Sequence, residues 1–353
     1  MNIRWLVKGY PIAFTQDGSL FYYWKGWVYC LSDNKSEKYC RFKRSLYNCI
    51  IEFFPYLRRL FRVEIRCSCV VENTVFFFKN KKLFCLDLLN KSLTHVYSIS
   101  KEKSTPLNIL PVNTDKVVLL FGDYYSNYKY EAVNIYALTS EFTVDVLFSF
   151  KPGTIRHIHN IIESDGGYYI FTGDNEEEAG IYYADYGFET VKKVSTGNWR
   201  SRAVIGFAYN KILVYATDSV ERRNSLILLK DGHSFEIAEL NGSVIYGGQT
   251  QNYMYFSTTV ESSEDNKASK LKKLISTKRA NGIISDNVEL VQVNKKDLSI
   301  TIPLRIKKDK LPYKLFQYGS FRIVSGQDKI AFCPIATKTN SELIGVIEEV
   351  CDS

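Results

Sequence analysis

Short apolar and aromatic runs of about five to eight residues recur along the chain, punctuated by Gly, Asn and Asp. This is the strand-and-turn pattern of an all-β protein. The register is plainest from residue 156. Residues 156–164, 167–174, 180–185 and 190–195 read as four strands. The set repeats at 201–210, 211–218, 225–232 and 234–240, and again at 242–252, 253–261, 270–277 and 287–293. Upstream, 11–43, 65–99 and 106–150 fit the same template. The last unit, 321–350, supplies only three strands, and the apolar run at 2–7 could be its fourth. Four-stranded units of this length are the size of propeller blades. The pattern therefore predicts one domain, 1–353: an all-β propeller of seven blades of four antiparallel strands. Six blades is the alternative. Pairing of the two chain ends would close the last blade and remove an open sheet edge.

Two segments break the rhythm. In 45–62 the apolar positions Ile50, Ile51, Phe53, Phe54, Leu57, Leu60 and Phe61 follow a partly helical spacing, and Arg58, Arg59 and Arg62 form a basic side. Pro55 permits a helix to start but not to run through. The segment is expected as a short helical insertion between the first two blades, packed by its apolar face on the propeller flank. The other reading is a basic amphipathic element making peripheral contact with an anionic membrane surface. The second segment, 295–314, is rich in Lys and reads as a long solvated connection before the last blade.

Composition agrees with strands: aromatics make up 14% of the chain, with 25 Tyr and 22 Phe. A net charge of +8 is too mild to indicate nucleic acid as a partner. No apolar run is long enough to span a bilayer, and the charged, Gly- and Pro-broken start does not read as an export signal. A cytoplasmic location, with a membrane-peripheral variant through 45–62, is the expectation. The 8 Cys contain no C-x-x-C pair, so reduced thiols are expected rather than a zinc ribbon or a disulfide framework.

In a propeller, the ends of second strands and the starts of first strands crowd one face near the axis. Four second strands end in a carboxylate: Asp123, Asp174, Asp218 and Glu261. First-strand starts supply Arg156, His157 and His159 in one blade and Trp199, Arg200 and Arg202 in the next. His157 and His159 should share a face, as should Arg200 and Arg202. Carboxylates and guanidinium groups suit sugar hydroxyls and uronate carboxyls, and Trp199, Tyr124 and Tyr125 could stack on sugar rings. Paired carboxylates are what glycoside hydrolysis requires. A His beside an Arg could instead remove a proton next to a uronate, as in a lyase. His157, His159 and Asp174 could also hold a metal, though the reading adopted here has no metal and no cofactor.

The stretch 180–194, GIYYADYGFETVKKV, resembles a degenerate Asp-box of sialidase-type repeats: Asp185, Gly187 and Thr190 match, while Ala184 and Val191 stand for Ser and Trp. More widely, 105–265 resembles bacterial sialidase-like propellers associated with surface-polysaccharide gene clusters. The resemblance implies a propeller and a carbohydrate-related role. The early segment 9–14, GYPIAF, lacks the Arg that sialidases carry before this Pro, so sialidase activity itself is not implied.

These observations combine into one expectation: a propeller that binds or processes a glycan or glycan precursor, with glycosidic cleavage as the reaction if it is an enzyme. Asp174, Asp218 and His159 are the candidate catalytic residues. Asp123, Tyr124, His157, Trp199, Arg202 and Glu261 are the candidate substrate contacts, Arg202 anchoring an anion. The rival is a non-catalytic scaffold that docks on a membrane-associated polysaccharide assembly complex through 45–62. Sequence alone leaves the oligomeric state undetermined.

Overall fold

The computed structural model describes residues 2–112, 114–175, 177–263 and 269–349. Their strands form seven separate four-stranded antiparallel sheets, the architecture of a seven-bladed β-propeller. In six blades the four strands follow chain order. In the seventh, Ile3–Lys8 joins three C-terminal strands as the fourth, pairing Ile3 with Ile347 and Trp5 with Gly345. The expected closure by the N-terminal strand is therefore observed. Cys351 lies outside the described residues; the seven described cysteines are free thiols.

The chain divides into two compact units. One comprises residues 65–217 and 225–238 and carries blades 2 to 4 and most of blade 5. Its core is built where neighbouring sheets face each other. Phe76 and Phe78 of blade 2 meet Leu119 and Phe121 of blade 3, and Phe171 and Ile181 of blade 4 meet Leu213 and Tyr215 of blade 5. Phe76 and Phe78, Leu119 and Phe121, and Leu213 and Tyr215 are alternate positions on one strand each, so the period-two pattern is what buries them.

The other unit comprises 1–64, 218–224 and 239–353 and carries blades 1, 6 and 7. Here two expectations are corrected. Residues 270–277 are not a strand: Lys270–Leu274 is a short helix with Ser269 capping its first turn. The third strand of blade 6 is Asn287–Asn294, and the fourth is Ile300–Lys307, inside the segment read as a solvated connection. Ile302, Leu304 and Ile306 alternate with exposed Thr301, Arg305 and Lys307. Pro303 is tolerated because this is an outer strand with an irregular register.

The insertion forms two helices, α1 (Leu46–Phe53) and α2 (Pro55–Leu60), broken at Phe54 with Pro55 opening the second. Their orientation reverses the expected one. Most of the charged side is buried, Arg62 alone of its three arginines staying exposed: Arg58 pairs with Glu342, Arg59 with Asp309, and Glu52 with Arg44. Most of the apolar side faces outward, leaving Leu46, Tyr47, Phe53 and Tyr56 at least 60% exposed, while Ile51 is buried. The reason is long-range. Glu342 and Asp309 come from distant sequence and hold the guanidinium groups in bidentate or charge-assisted contact, which the local spacing cannot show.

Candidate functional site

The strand Ile158–Ser164 begins blade 4 and the strand Gly167–Thr172 follows it, with Ile158 paired to Thr172. The start of the first strand thus lies beside the end of the second. His157 and His159 turn to one side, as their spacing requires, and their Nε2 atoms are 2.9 Å apart. Asp174 joins them, with Oδ1 3.2 Å from His159 Nε2 and Oδ2 3.4 Å from His157 Nε2. Gly173 makes this turn possible. Its φ is +75°, and a Cβ there would come within 2.7 Å of the Glu178 carbonyl oxygen.

Each imidazole is oriented from behind. His157 Nδ1 is 2.8 Å from the Tyr125 carbonyl oxygen, and His159 Nδ1 is 2.9 Å from that of Ala203. A carbonyl only accepts, so both Nδ1 atoms carry protons, and in the neutral rings both Nε2 atoms present lone pairs. Both histidines are buried, while the Asp174 side chain is 34% exposed and marks where the cluster reaches solvent. Arg202 closes the group: Nη1 donates to the Asp174 carbonyl oxygen at 2.8 Å, and Nη2 lies 3.6 Å from Oδ1. The Tyr124 ring meets His157 edge-on at 4.8 Å between centroids, and the Arg66 guanidinium lies 5.3 Å from the centre of the Tyr124 ring.

Burial pushes the Asp174 carboxyl upward, but hydrogen bonds from His157 and His159 and their charge, present when the rings are protonated, outweigh it and hold the group below the ordinary carboxylate range. Asp174 is therefore a fixed anion. It suits holding a cation or orienting a neighbour, and does not suit the proton-donor role in acid-assisted glycoside cleavage.

The structure thus gathers Tyr124, His157, His159, Asp174 and Arg202. Other candidates are engaged differently. Asp123 is buried, with Oδ2 2.7 Å from Lys103 Nζ and accepting from the Asn134 backbone N–H. Trp199 sits in the 3-10 turn Trp199–Ser201, where the Arg200 guanidinium lies 5.6 Å from its ring centre. That turn also separates Arg200 from Arg202, against the shared face expected of a strand: Arg200 pairs with Glu236, and Arg202 turns to Asp174. Asp218 and Glu261 belong to the other unit, where Asp218 is buried and Glu261 accepts from the hydroxyls of Ser243 and Thr259. Asp185 accepts from the backbone N–H groups of Glu189 and Thr190, so it shapes a hairpin turn. Arg66, just before the first strand of blade 2 at Cys67–Val71, was missed. The strand-start rule that found Arg202 would have found it too.

Gly122 sets the spacing between blades 3 and 4 at this point. A Cβ there would lie 2.5 Å from Ile158 Cγ2, and Ile158 is the residue between the two histidines. Gly122→Ala is expected to cost about 1–3 kcal/mol in urea unfolding through overpacking. A neutral result would mean that Ile158 yields without cost and that the contact does not position the histidines.

No protein-family model matches the chain, and no curated protein matches it. Solved structures do match in fold. An oligogalacturonate lyase in complex with manganese aligns with TM-score 0.53 at 10% identity, covering 99% of this chain and 90% of that one. The AfRom2 CNH domain aligns with TM-score 0.55 at 7% identity, covering 99% of this chain and 100% of the domain. At such identities the likeness establishes the propeller fold alone, and a fold of this kind carries many functions.

Proposed function

We propose that this propeller binds an acidic carbohydrate, a uronate-bearing glycan or glycan precursor, at the cluster of Tyr124, His157, His159, Asp174 and Arg202. The observation that carries the reading is Arg202: a guanidinium partly open to solvent and fixed through the Asp174 carbonyl, against a carboxylate that faces two imidazoles. A guanidinium so held matches a carboxylate in shape and charge. The resemblance of 105–265 to sialidase-like propellers of surface-polysaccharide clusters supports carbohydrate as the class, and the lyase sharing the fold acts on a uronate polymer fragment. Titration calorimetry with oligogalacturonate, against a neutral oligosaccharide of equal length, tests this. Binding of the acidic ligand alone, at least tenfold weaker in Arg202→Ala, is expected. Equal or absent binding of the two ligands would refute it.

A second reading, docking on an anionic membrane surface, is favoured by the outward-turned aromatic side of α1 and α2. The helix at Lys270–Leu274, here α3, and the helix Tyr313–Phe316, here α4, extend this surface: α2 lies beside α4, and α4 beside α3. Leu271, Leu274 and Ile275 are exposed there as well. Segments 269–279 and 310–318 contain seven Lys and Arg and no acid, and the one acid of 45–62, Glu52, is buried. Aromatics ringed by cations fit the headgroup layer of anionic lipid. Co-sedimentation with vesicles containing phosphatidylserine should fall several-fold in Phe53→Ser/Tyr56→Ser and weaken with salt. No binding at low salt would remove this reading, and dimerisation through the same face would replace it.

A further inference from the structure

We propose that His157, His159 and Asp174 form a binding site for a divalent first-row transition-metal ion. The proposal goes beyond carbohydrate binding and does not depend on it.

Three electron-pair donors converge here. Both Nδ1 atoms are committed as donors to the backbone carbonyls of Tyr125 and Ala203, so each ring, when neutral, turns its lone pair towards the same point. The Nε2 atoms are 2.9 Å apart, and a carboxylate faces both, at 3.2 and 3.4 Å. Two lone pairs and an anion at these distances repel unless a cation lies among them. A metal ion satisfies all three donors, whereas one proton bridges only two.

The separations also have the right size. Two nitrogen donors 2.9 Å apart and about 2.1 Å from a common centre would subtend roughly 85–90° at it, near the octahedral value, and each nitrogen faces its own carboxylate oxygen, His159 Nε2 at 3.2 Å from Oδ1 and His157 Nε2 at 3.4 Å from Oδ2. Two imidazoles and one carboxylate on one side of an ion form a facial triad that leaves the opposite side open. The Asp174 side chain is 34% exposed, so the cluster reaches solvent at that ligand.

The surroundings are those of a ligand set. Metal-bound imidazoles characteristically donate their second ring nitrogen to a carbonyl or carboxylate, which fixes the tautomer. Both histidines do so. Arg202 Nη2 lies 3.6 Å from Oδ1, the carboxylate oxygen that also faces His159, and Nη1 holds the Asp174 backbone carbonyl. Among the described residues this is the one group of three or more His, Cys, Asp and Glu whose donor atoms converge within 4.8 Å. Nitrogen donors favour the transition series over Mg²⁺ or Ca²⁺, which take oxygen sets. An ion here, with Arg202, would offer two positive centres to one carboxylate ligand.

The test uses the full chain, stripped with chelator and dialysed, and Mn²⁺ or Zn²⁺ alone. Calorimetry and, for Mn²⁺, loss of the free-ion EPR signal should show one ion per chain. Asp174→Asn, which keeps size and removes charge, should weaken binding at least tenfold. His159→Gln should do the same, with the circular dichroism spectrum unchanged in both. Mg²⁺ should not compete. Absence of a stoichiometric ion in the wild type, or undiminished affinity in a folded Asp174→Asn, would overturn the proposal. Oligogalacturonate titration in excess chelator reads the carbohydrate proposal separately, so either can fail alone.

Discussion

Glu342→Ala should be among the most damaging single changes in this protein, lowering the unfolding free energy by about 3–5 kcal/mol. Glu342 accepts two hydrogen bonds from Arg58, Nε to Oε1 at 2.8 Å and Nη2 to Oε2 at 2.5 Å, and a further one from the Tyr10 hydroxyl. Both charged side chains are at most 7% exposed. Removing the carboxylate strands a buried guanidinium that also holds the Glu52 and Phe53 carbonyls at the end of α1. The loss therefore spreads from one ion pair to the seating of both helices. Urea unfolding of the variant measures it, and a change under 1 kcal/mol would show that water reaches Arg58 and replaces its partner. The double variant Glu342→Leu/Arg58→Met should recover much of the loss, because a buried pair is costly to break but not costly to replace by apolar volume.

His159→Ala should have its largest effect on ligand binding. Truncation removes one of the two imidazoles that hold Asp174, and Arg202 is fixed through the backbone of Asp174. Affinity for oligogalacturonate should fall at least tenfold, about 1.4 kcal/mol, with the urea midpoint little changed. The opposite pattern, a stability loss of about 3–5 kcal/mol in a protein that binds no uronate even as wild type, is what a purely structural charge network would give. Melting and binding measured on the same preparation separate the two.

The blades were legible because a sheet face buried on one side writes its period of two into the sequence. Where the face was least buried, the writing was faint. At 300–307 the alternation of Ile302, Leu304 and Ile306 is crowded by Pro303, Arg305 and flanking Lys, and the strand reads as a loop. At 270–274 the LKKL pattern fits a strand and a helix turn equally, and the Ser269 cap decides for the helix. The histidine cluster was readable because propeller blades bring first-strand starts beside second-strand ends at fixed positions. Asp123 followed the same rule, but its partner Lys103 comes from a loop with no periodicity to announce it. The helices at 46–60 were misread for the same physical reason. An amphipathic pattern shows that a helix has two faces, and only tertiary charge partners decide which face is inside.

The pairing of Ile3 with Ile347 also imposes a timetable. At synthesis rates of about 5–20 residues per second, the strand Ile3–Lys8 waits on the order of tens of seconds for its partner to be made. Through that interval Ile3 and Trp5, which later pack in the core of the 1–64/218–224/239–353 unit, belong to an unpaired segment able to pair with another nascent chain. Blades 2 to 4, whose strands are all complete by residue 196, carry no such delay. The histidine cluster can therefore be assembled as soon as Ala203 has emerged, long before the ring of blades has its last member.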